Sequence, residues 1–297
     1  MRWSPGWRSK SRWVKSDAVI PSERSESRDP YTARLLQVVI PSERSEPRDL
    51  LLLMKAPSDA PAQLDLTLVI PVYNEGANFP ALWAAVSSQI RSPFRALVVY
   101  DFDEDNTVPV VQQIISSGER RLLLVKNDVG RGVVGAIRTG FNKVEHGPVL
   151  VVMADLSDDL SQVDTMLDRY RQGYKVVVGS RYMPGGQLLD APPLKGLMSR
   201  CAGVTLHWFR RIPTHDATNA FKLYDSQMLK SFTIESKAGF ELNLELTVKA
   251  FLAGHAITEI PTTWRNRTQG ESRFRVWAWL PQYLKWYFYA FRPRRPG

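Results

Sequence analysis

The chain has 297 residues, 44% of them hydrophobic, with 39 lysines and arginines against 30 acids and a net charge of +9. That size and apolar content exclude a short disulfide scaffold and a wholly disordered chain, and the single cysteine, Cys201, excludes an internal disulfide and fits a reducing compartment. No apolar run approaches the roughly 20 residues that a membrane-spanning helix needs, and the basic N-terminus lacks the apolar core of a secretory signal.

In chain order, residues 19–29 (VIPSERSESRD) and 39–49 (VIPSERSEPRD) match at ten of eleven positions. Two copies rich in Ser, Arg, Glu and Pro neither stack into a solenoid nor pack a core. The expectation is a disordered extension over residues 1–53, or a natural start near Met54. From Leu64 a regular alternation begins. Strands are predicted at 66–71, 96–101, 122–126, 148–154 and 174–180, and helices at 81–90, 108–117, up to Phe141, and at 161–172. Strand alternating with helix predicts an α/β fold with a mostly parallel sheet flanked by helices. The rhythm breaks after Arg181. Helices are predicted at 194–211 and 238–253, the second with Leu244, Val248, Phe251 and Leu252 on one face and Glu241 and Glu245 on another.

The chemistry is expected at strand ends. Val149, Leu150, Val151, Val152 and Met153 are an unbroken apolar run, followed by Asp155, Asp158 and Asp159. In open α/β sheets ligands sit beyond the carboxyl ends of strands, and oxygen donors there suit a hard cation, Mg2+ or Mn2+, that also takes substrate phosphate. A second acid cluster, DFDED, occupies 101–105, and Asn74 and Glu75 close a third strand. Three polar tips side by side make a crevice for a nucleotide, with Asp101 accepting from base or ribose. Gly130, Gly132 and Gly135 also satisfy G-x-G-x-x-G, with Asp155 twenty residues beyond. This leaves an NAD-binding dehydrogenase as an alternative, although two strand–helix units come before it and it gives no role to the acids at 101–105.

The order PVYNE (71–75), VVYDFDEDNT (98–107), GRGVVGAIRTGF (130–141), VVMADLSDD (151–159), GSRYMPGG (179–186), DATNAFKLY (216–224), GFELNLELTVKA (239–250) and IPTTWRNRTQGESRF (260–274) resembles glycosyltransferase family 2, and within it the polyprenyl-phosphate glycosyltransferases of the dolichol-phosphate mannose synthase type. The resemblance covers about 66–274. It implies a GT-A, Rossmann-like fold, with the transferase domain spanning 64–264, and an inverting transfer from a nucleotide-sugar donor to a polyprenyl phosphate or related lipid acceptor. By the family pattern Pro71, Tyr73, Glu75, Asp101 and Asp103 bind the nucleotide. Asp155, Asp216 and Arg181 are catalytic, and Asp155 with Asp159 holds the metal. Two positions depart from the pattern: Met153 stands in the first place of the family's D-x-D, and Tyr100 in the first place of its D-D pair. Asp158 or Asp159 then has to supply the missing oxygen, and the incomplete motif keeps a non-catalytic nucleotide-sugar or lipid-binding protein as the second alternative.

A planar guanidinium suits a lipid phosphate, so Arg181, Arg200, Arg267 and Arg273 are the acceptor candidates. The segment 265–297 holds eight basic residues against one acid, seven of the nine excess positive charges. Val276, Trp279, Leu280, Tyr283, Leu284, Tyr287, Phe288 and Phe291 follow helical spacing, with a kink expected at Pro281. Rings with flanking cations point to a helix lying in a membrane surface, and to a protein peripheral to a membrane on its cytoplasmic face. No nucleic-acid partner is expected, because no RNA-binding signature accompanies the basic residues.

Overall fold

The computed structural model describes residues 66–237, 239–266 and 276–294. The repeats and extension at 1–53, and Arg267 and Arg273, lie outside the described residues.

Seven strands form one sheet in the order β3-β2-β1-β4-β7-β5-β8. They are β1 (Leu66–Pro71), β2 (Phe94–Tyr100), β3 (Leu122–Lys126), β4 (Pro148–Val151), β5 (Val176–Ser180), β7 (Lys222–Asp225) and β8 (Ile257–Pro261). The short β6 (Gln187–Leu189) and β9 (Thr263–Arg265) pair in parallel as a separate ribbon. Strands β1 and β4 are buried at every position, as expected of parallel strands covered on both faces. Their side chains alternate between two cores. Val69, Val149, Val151 and Val176 face one, and Leu68, Ile70, Leu150 and Val177 the other.

The second core takes α1 (Phe79–Gln89), α2 (Thr107–Ser116) and α4 (Val163–Arg171) through Phe79, Val111 and Met166. The first takes α3 (Val133–Asn142), α7 (Glu241–Leu252) and α8 (Val276–Tyr289) through Ile137, Leu244 and Trp286. Two further helices, α5 (Pro193–Arg210) and α6 (Ser226–Lys230), complete the helical set described.

The structure adds β6, β8, β9 and α6 to the elements expected from the sequence. Strand β7 was not anticipated; it runs antiparallel between β4 and β5, with Leu223 opposite both Leu150 and Val177. The strand expected at 148–154 ends at Val151. After Val152 donates to the Val69 carbonyl oxygen at 3.0 Å the chain leaves the ladder, which frees residues 153–159 to form a loop. Helix α7 is buried around nearly its whole circumference, so Glu241 and Glu245 are inside the protein and not on a solvated face. The Glu245 carboxylate accepts from the Glu235 and Ser236 amides at 2.7 and 2.8 Å and from the Lys249 ammonium at 2.6 Å, which satisfies a charge that burial would otherwise make costly.

Helix α8 runs through Pro281 and packs one face inward. Trp286 and Ala290 are fully buried, with the Lys249 and Lys285 ammonium groups 4.8 and 4.5 Å from the Trp286 ring centroid. Arg210 of α5 donates to the Ala290 and Arg292 carbonyls at 2.6 and 2.9 Å, fixing the end of α8. No helix among the described residues is long and apolar enough to cross a membrane.

Candidate active site

The chain's direction along the sheet reverses between β1 and β4, and the loops beyond their carboxyl ends face one crevice. On the β1 side, the Asn74, Glu75 and Gly76 amides donate to Asp105 Oδ2 (3.0 Å), Thr107 Oγ1 (2.9 Å) and Asn106 Oδ1 (2.8 Å). This ladder stitches the loop after β1 to the start of α2. A Cβ at Gly76 would stand 2.5 Å from the Asn106 carbonyl oxygen, so only glycine permits the approach. Held this way, Pro71, Tyr73 and Glu75 line a cavity of about 1640 Å³. Tyr73 sets its ring edge-on to Phe102 with centroids 5.4 Å apart, and the Glu75 carboxylate accepts from Asn78 Nδ2 at 2.7 Å.

Asp101, at the tip of β2, also lines the cavity. Its two carboxylate oxygens accept from Asn127 Nδ2 and from the Gly132 amide, each at 2.7 Å. The glycine triplet is thereby accounted for: Gly132 has φ of 100°, and a Cβ on Gly135 would meet the Gly130 carbonyl oxygen at 1.6 Å. The triplet folds a loop over the start of α3, after the edge strand β3, and does not sit at the β1–β4 reversal where a dinucleotide fingerprint belongs. Asp103 does not line the cavity; it forms an exposed ion pair with Lys126.

Beyond β4, Asp155 and Asp158 both line the cavity. Asp155 Oδ1 accepts from the Ser157 hydroxyl at 2.6 Å and its amide at 3.2 Å, while Leu156 takes a left-handed φ of 58°. The loop is pinned from the other side by the Arg265 amide donating to the Ser157 carbonyl at 3.1 Å. Asp158 Oδ2 is buried without a hydrogen-bond partner among the described residues. Burial first, and the Asp155 charge second, push the Asp158 carboxyl up to about 7 against the opposing effects of the Met153 amide and Arg181. Asp159, expected as a metal ligand, is instead the cap of the single turn Leu160–Gln162, accepting from the Ser161 amide at 3.2 Å, and does not line the cavity. Met153 does line it, but a thioether is too soft for a hard cation. Among the described residues no group of three or more His, Cys, Asp or Glu side chains is placed so that it could by itself hold a metal ion.

The raised Asp158 pKa carries a signed prediction for the metal-free protein. Between the ordinary carboxylate range and pH 7 the folded state binds the extra proton, so stability falls as pH rises through that window and is flat above it. Asp158→Asn is expected to flatten the profile and to raise stability above pH 7 by about 2–4 kcal/mol. Thermal melts in chelator from acid to alkaline pH check it; an unchanged slope would place the proton elsewhere.

Arg181, just past β5, is tied to Asp216 through two parallel bonds, Nε to Oδ2 at 2.7 Å and Nη2 to Oδ1 at 2.9 Å. The Arg181 amide adds a third at 3.1 Å, and Nη2 also donates to Ser199 at 3.0 Å. Burial opposes both charges, but each is held by its partner: Arg181 lies above the ordinary guanidinium range and Asp216 below the ordinary carboxylate range. Behind them Lys222 is fully buried, donating to the Ala217 and Asn243 carbonyls at 2.6 and 3.1 Å. Burial brings its ammonium down to about 7, with Asp216 opposing the shift. Sequence reasoning passed over Lys222, although a lysine within the apolar run AFKLY was the available signal. It also passed over Ser199, Thr218 and Tyr182, which line the cavity around Arg181 and carry no pattern of their own. Arg200 is exposed and does not line the cavity.

From the carboxylates the cavity continues past Arg181 to an apolar end, walled by Met198 and Ala202 of α5 and by Leu280, Leu284 and Phe288 of α8. One end therefore offers oxygen acceptors, the middle a guanidinium, and the far end hydrocarbon.

A family model described as glycosyl transferase family 2 matches residues 67–232. Polyprenol monophosphomannose synthase of Mycolicibacterium smegmatis is 28% identical over 212 residues, which are 69% of this chain and 79% of that protein. Dolichol-phosphate mannosyltransferase of Pyrococcus furiosus is 25% identical over 218 residues, 71% of this chain, and the match spans only 60% of that protein's length. Among solved structures, glucosyl-3-phosphoglycerate synthase of Mycobacterium tuberculosis in complex with uridine-diphosphate superposes with a TM-score of 0.58 at 16% identity, over 77% of this chain and 80% of the other. The same protein with Mn2+, uridine-diphosphate and phosphoglyceric acid gives 0.58 at 16% identity, over 80% and 81%. At that identity the likeness speaks for the fold, which is GT-A.

Proposed function

The chain belongs to glycosyl transferase family 2 and is a glycosyltransferase, and from that premise we propose that it moves a sugar from a nucleoside-diphosphate donor to a polyprenyl phosphate, with inversion at the anomeric carbon. The transferase domain is residues 64–264, and the segment from 265 onward contributes the apolar end of the site through α8. The observation that carries this reading is a single cavity that joins carboxylates at the strand tips, a buried arginine and a hydrocarbon-lined end. A water-soluble acceptor gives no reason for the last of these. The names of the two relatives point to the same acceptor class.

Pro71, Tyr73, Glu75 and Asp101 form the nucleoside end. Asp101 orders the glycine loop with its bonds to Asn127 and Gly132 and, lining the cavity, is the acceptor offered to ribose or base. The residues present fit a divalent cation: Asp155 and the unpartnered buried oxygen of Asp158 are hard donors on one wall, and a Mg2+ or Mn2+ ion held by them would leave room for water and substrate oxygens. We assign Asp158, in preference to Asp159, as the second protein ligand. A cation held there by Asp155 and Asp158 would supply neutralisation of charge developing on the departing diphosphate.

The acceptor phosphate, with a second pKa near 6, is largely dianionic at neutral pH and needs positioning more than deprotonation. Arg181 supplies the positive edge, and Asp216, Ser199 and Thr218 hold that edge rigid. A phosphate oxygen attacks the anomeric carbon as the bond to the diphosphate oxygen breaks, and the diphosphate leaves with the electron pair. Arg267 and Arg273 remain acceptor candidates from the sequence pattern.

The test is a panel of nucleotide sugars against a short-chain polyprenyl phosphate. The expected result is transfer from one donor, stopped by EDTA and restored by Mn2+ or Mg2+. Donor binding without transfer or hydrolysis in Mn2+ would overturn the catalytic reading in favour of a binding protein.

A further inference from the structure

Lys222 is a fully buried cation with no part in the proposed transfer. It lies on β7, opposite Val178 of β5, and both groups that its ammonium donates to are main-chain carbonyls. Ala217, at 2.6 Å, belongs to the loop that carries Asp216 and Thr218, and Asn243, at 3.1 Å, belongs to α7. A buried ammonium is costly to keep without a carboxylate against it. The charges that act on this one are Asp216, which favours the ammonium, and Arg181, which opposes it. Of the acids on α7, Glu245 is taken by Lys249, and Glu241 acts on Tyr283.

Charge counting gives the residue a purpose. Arg181 lines the cavity, but its bidentate bond to Asp216 cancels its charge, and a neutral pair holds a dianion only weakly. Lys222, behind the pair, brings the sum to one positive charge. Because burial brings its ammonium down to about 7, that charge is only partly present at neutral pH. A phosphate in front of Arg181 favours the protonated form, so the anion and the proton each strengthen the binding of the other.

We propose that Lys222 is a positioning residue for the acceptor: it ties the Asp216 loop to α7 and keeps the buried cluster net positive, so that phosphate binds at Arg181 with uptake of one proton from solvent onto the Lys222 amine. Lys222 itself touches no substrate and acts through Arg181 and Asp216. The inference rests on the polyprenyl-phosphate reading and adds to it a proton linkage that a lysine serving only the fold would not produce.

Calorimetry of a short-chain prenyl phosphate in detergent, at about pH 7.5 in two buffers of different ionisation heat, tests it. The ligand is already largely dianionic there and has few protons to exchange. Wild-type protein is expected to take up roughly half a proton on binding, and its affinity to fall as pH rises from about 7 to about 8.5. Lys222→Gln keeps an N–H donor but no charge. It is expected to bind roughly tenfold or more weakly and to lose both the uptake and the slope, with a cooperative thermal melt showing that it is folded. Lys222→Met, apolar and of similar length, takes its place if the first variant does not fold. Binding by the wild type without proton uptake, or a folded variant that binds and takes up protons as the wild type does, overturns the inference alone. A wild type that binds no prenyl phosphate overturns the acceptor reading, and the inference falls with it.

Discussion

Asp155→Ala is expected to lower transfer by about three orders of magnitude or more, because it removes a negative ligand from the only stabiliser of leaving-group charge that the reading provides. On the proposed function two carboxylates on one wall would have to suffice where the family pattern uses an extra acid at the place of Met153. Its Oδ1 closes a local turn onto Ser157, a bond worth about 1 kcal/mol. A folded protein by thermal melt with lost turnover is the expected pair of results. Asp159→Ala supplies the contrast. It loses a cap on a short turn, again worth about 1 kcal/mol, and is expected to keep its turnover. Wild-type rates from Asp155→Ala, or an inactive Asp159→Ala that still binds donor, would reverse the assignment.

The second large effect is expected at Asp216. Removing this carboxylate leaves Arg181 charged, 11% exposed at its side chain and without its bidentate partner. Stranding one member of a buried pair costs about 3–5 kcal/mol, more than the pair itself contributes. Asp216→Ala is therefore expected to shift the denaturant midpoint strongly and to abolish transfer. The double variant Arg181→Met/Asp216→Leu discriminates between a structural and a functional role. It removes both charges and fills similar volume, so stability is expected to return towards wild type while transfer stays lost, because the acceptor phosphate has no positive edge. Recovery of both would mean that the pair only holds the fold.

The sheet and the site were legible in the sequence to different depths. Strand β4 lies in an unbroken apolar run and β1 is apolar but for Thr67, a pattern that leaves little choice of element. Strand β7 was missed because KLYD is four residues long, carries a lysine, and gains its place only by pairing with two strands distant in sequence. The acids at strand tips were legible as a group, since the loops after buried parallel strands border the crevice. Which of them face it depends on loop geometry one residue at a time. Asp158 points in and Asp159 turns to cap the next helical turn, a difference that spacing cannot convey. Arg181 could be singled out, but its partners Ser199 and Thr218 come from a helix and a loop with no distinctive pattern, and Lys222 lies behind them in a strand whose existence was not foreseen.

The gap between α5 and α8 also bears on substrate choice. A closed hydrocarbon tunnel gauges the length of what it swallows, whereas a slot flanked by Leu284 and Phe288, both open to the outside, would let the surplus isoprene units of the proposed acceptor trail away. A protein built so would have no ruler: it would grip the phosphate and the first few units and be indifferent to how many follow.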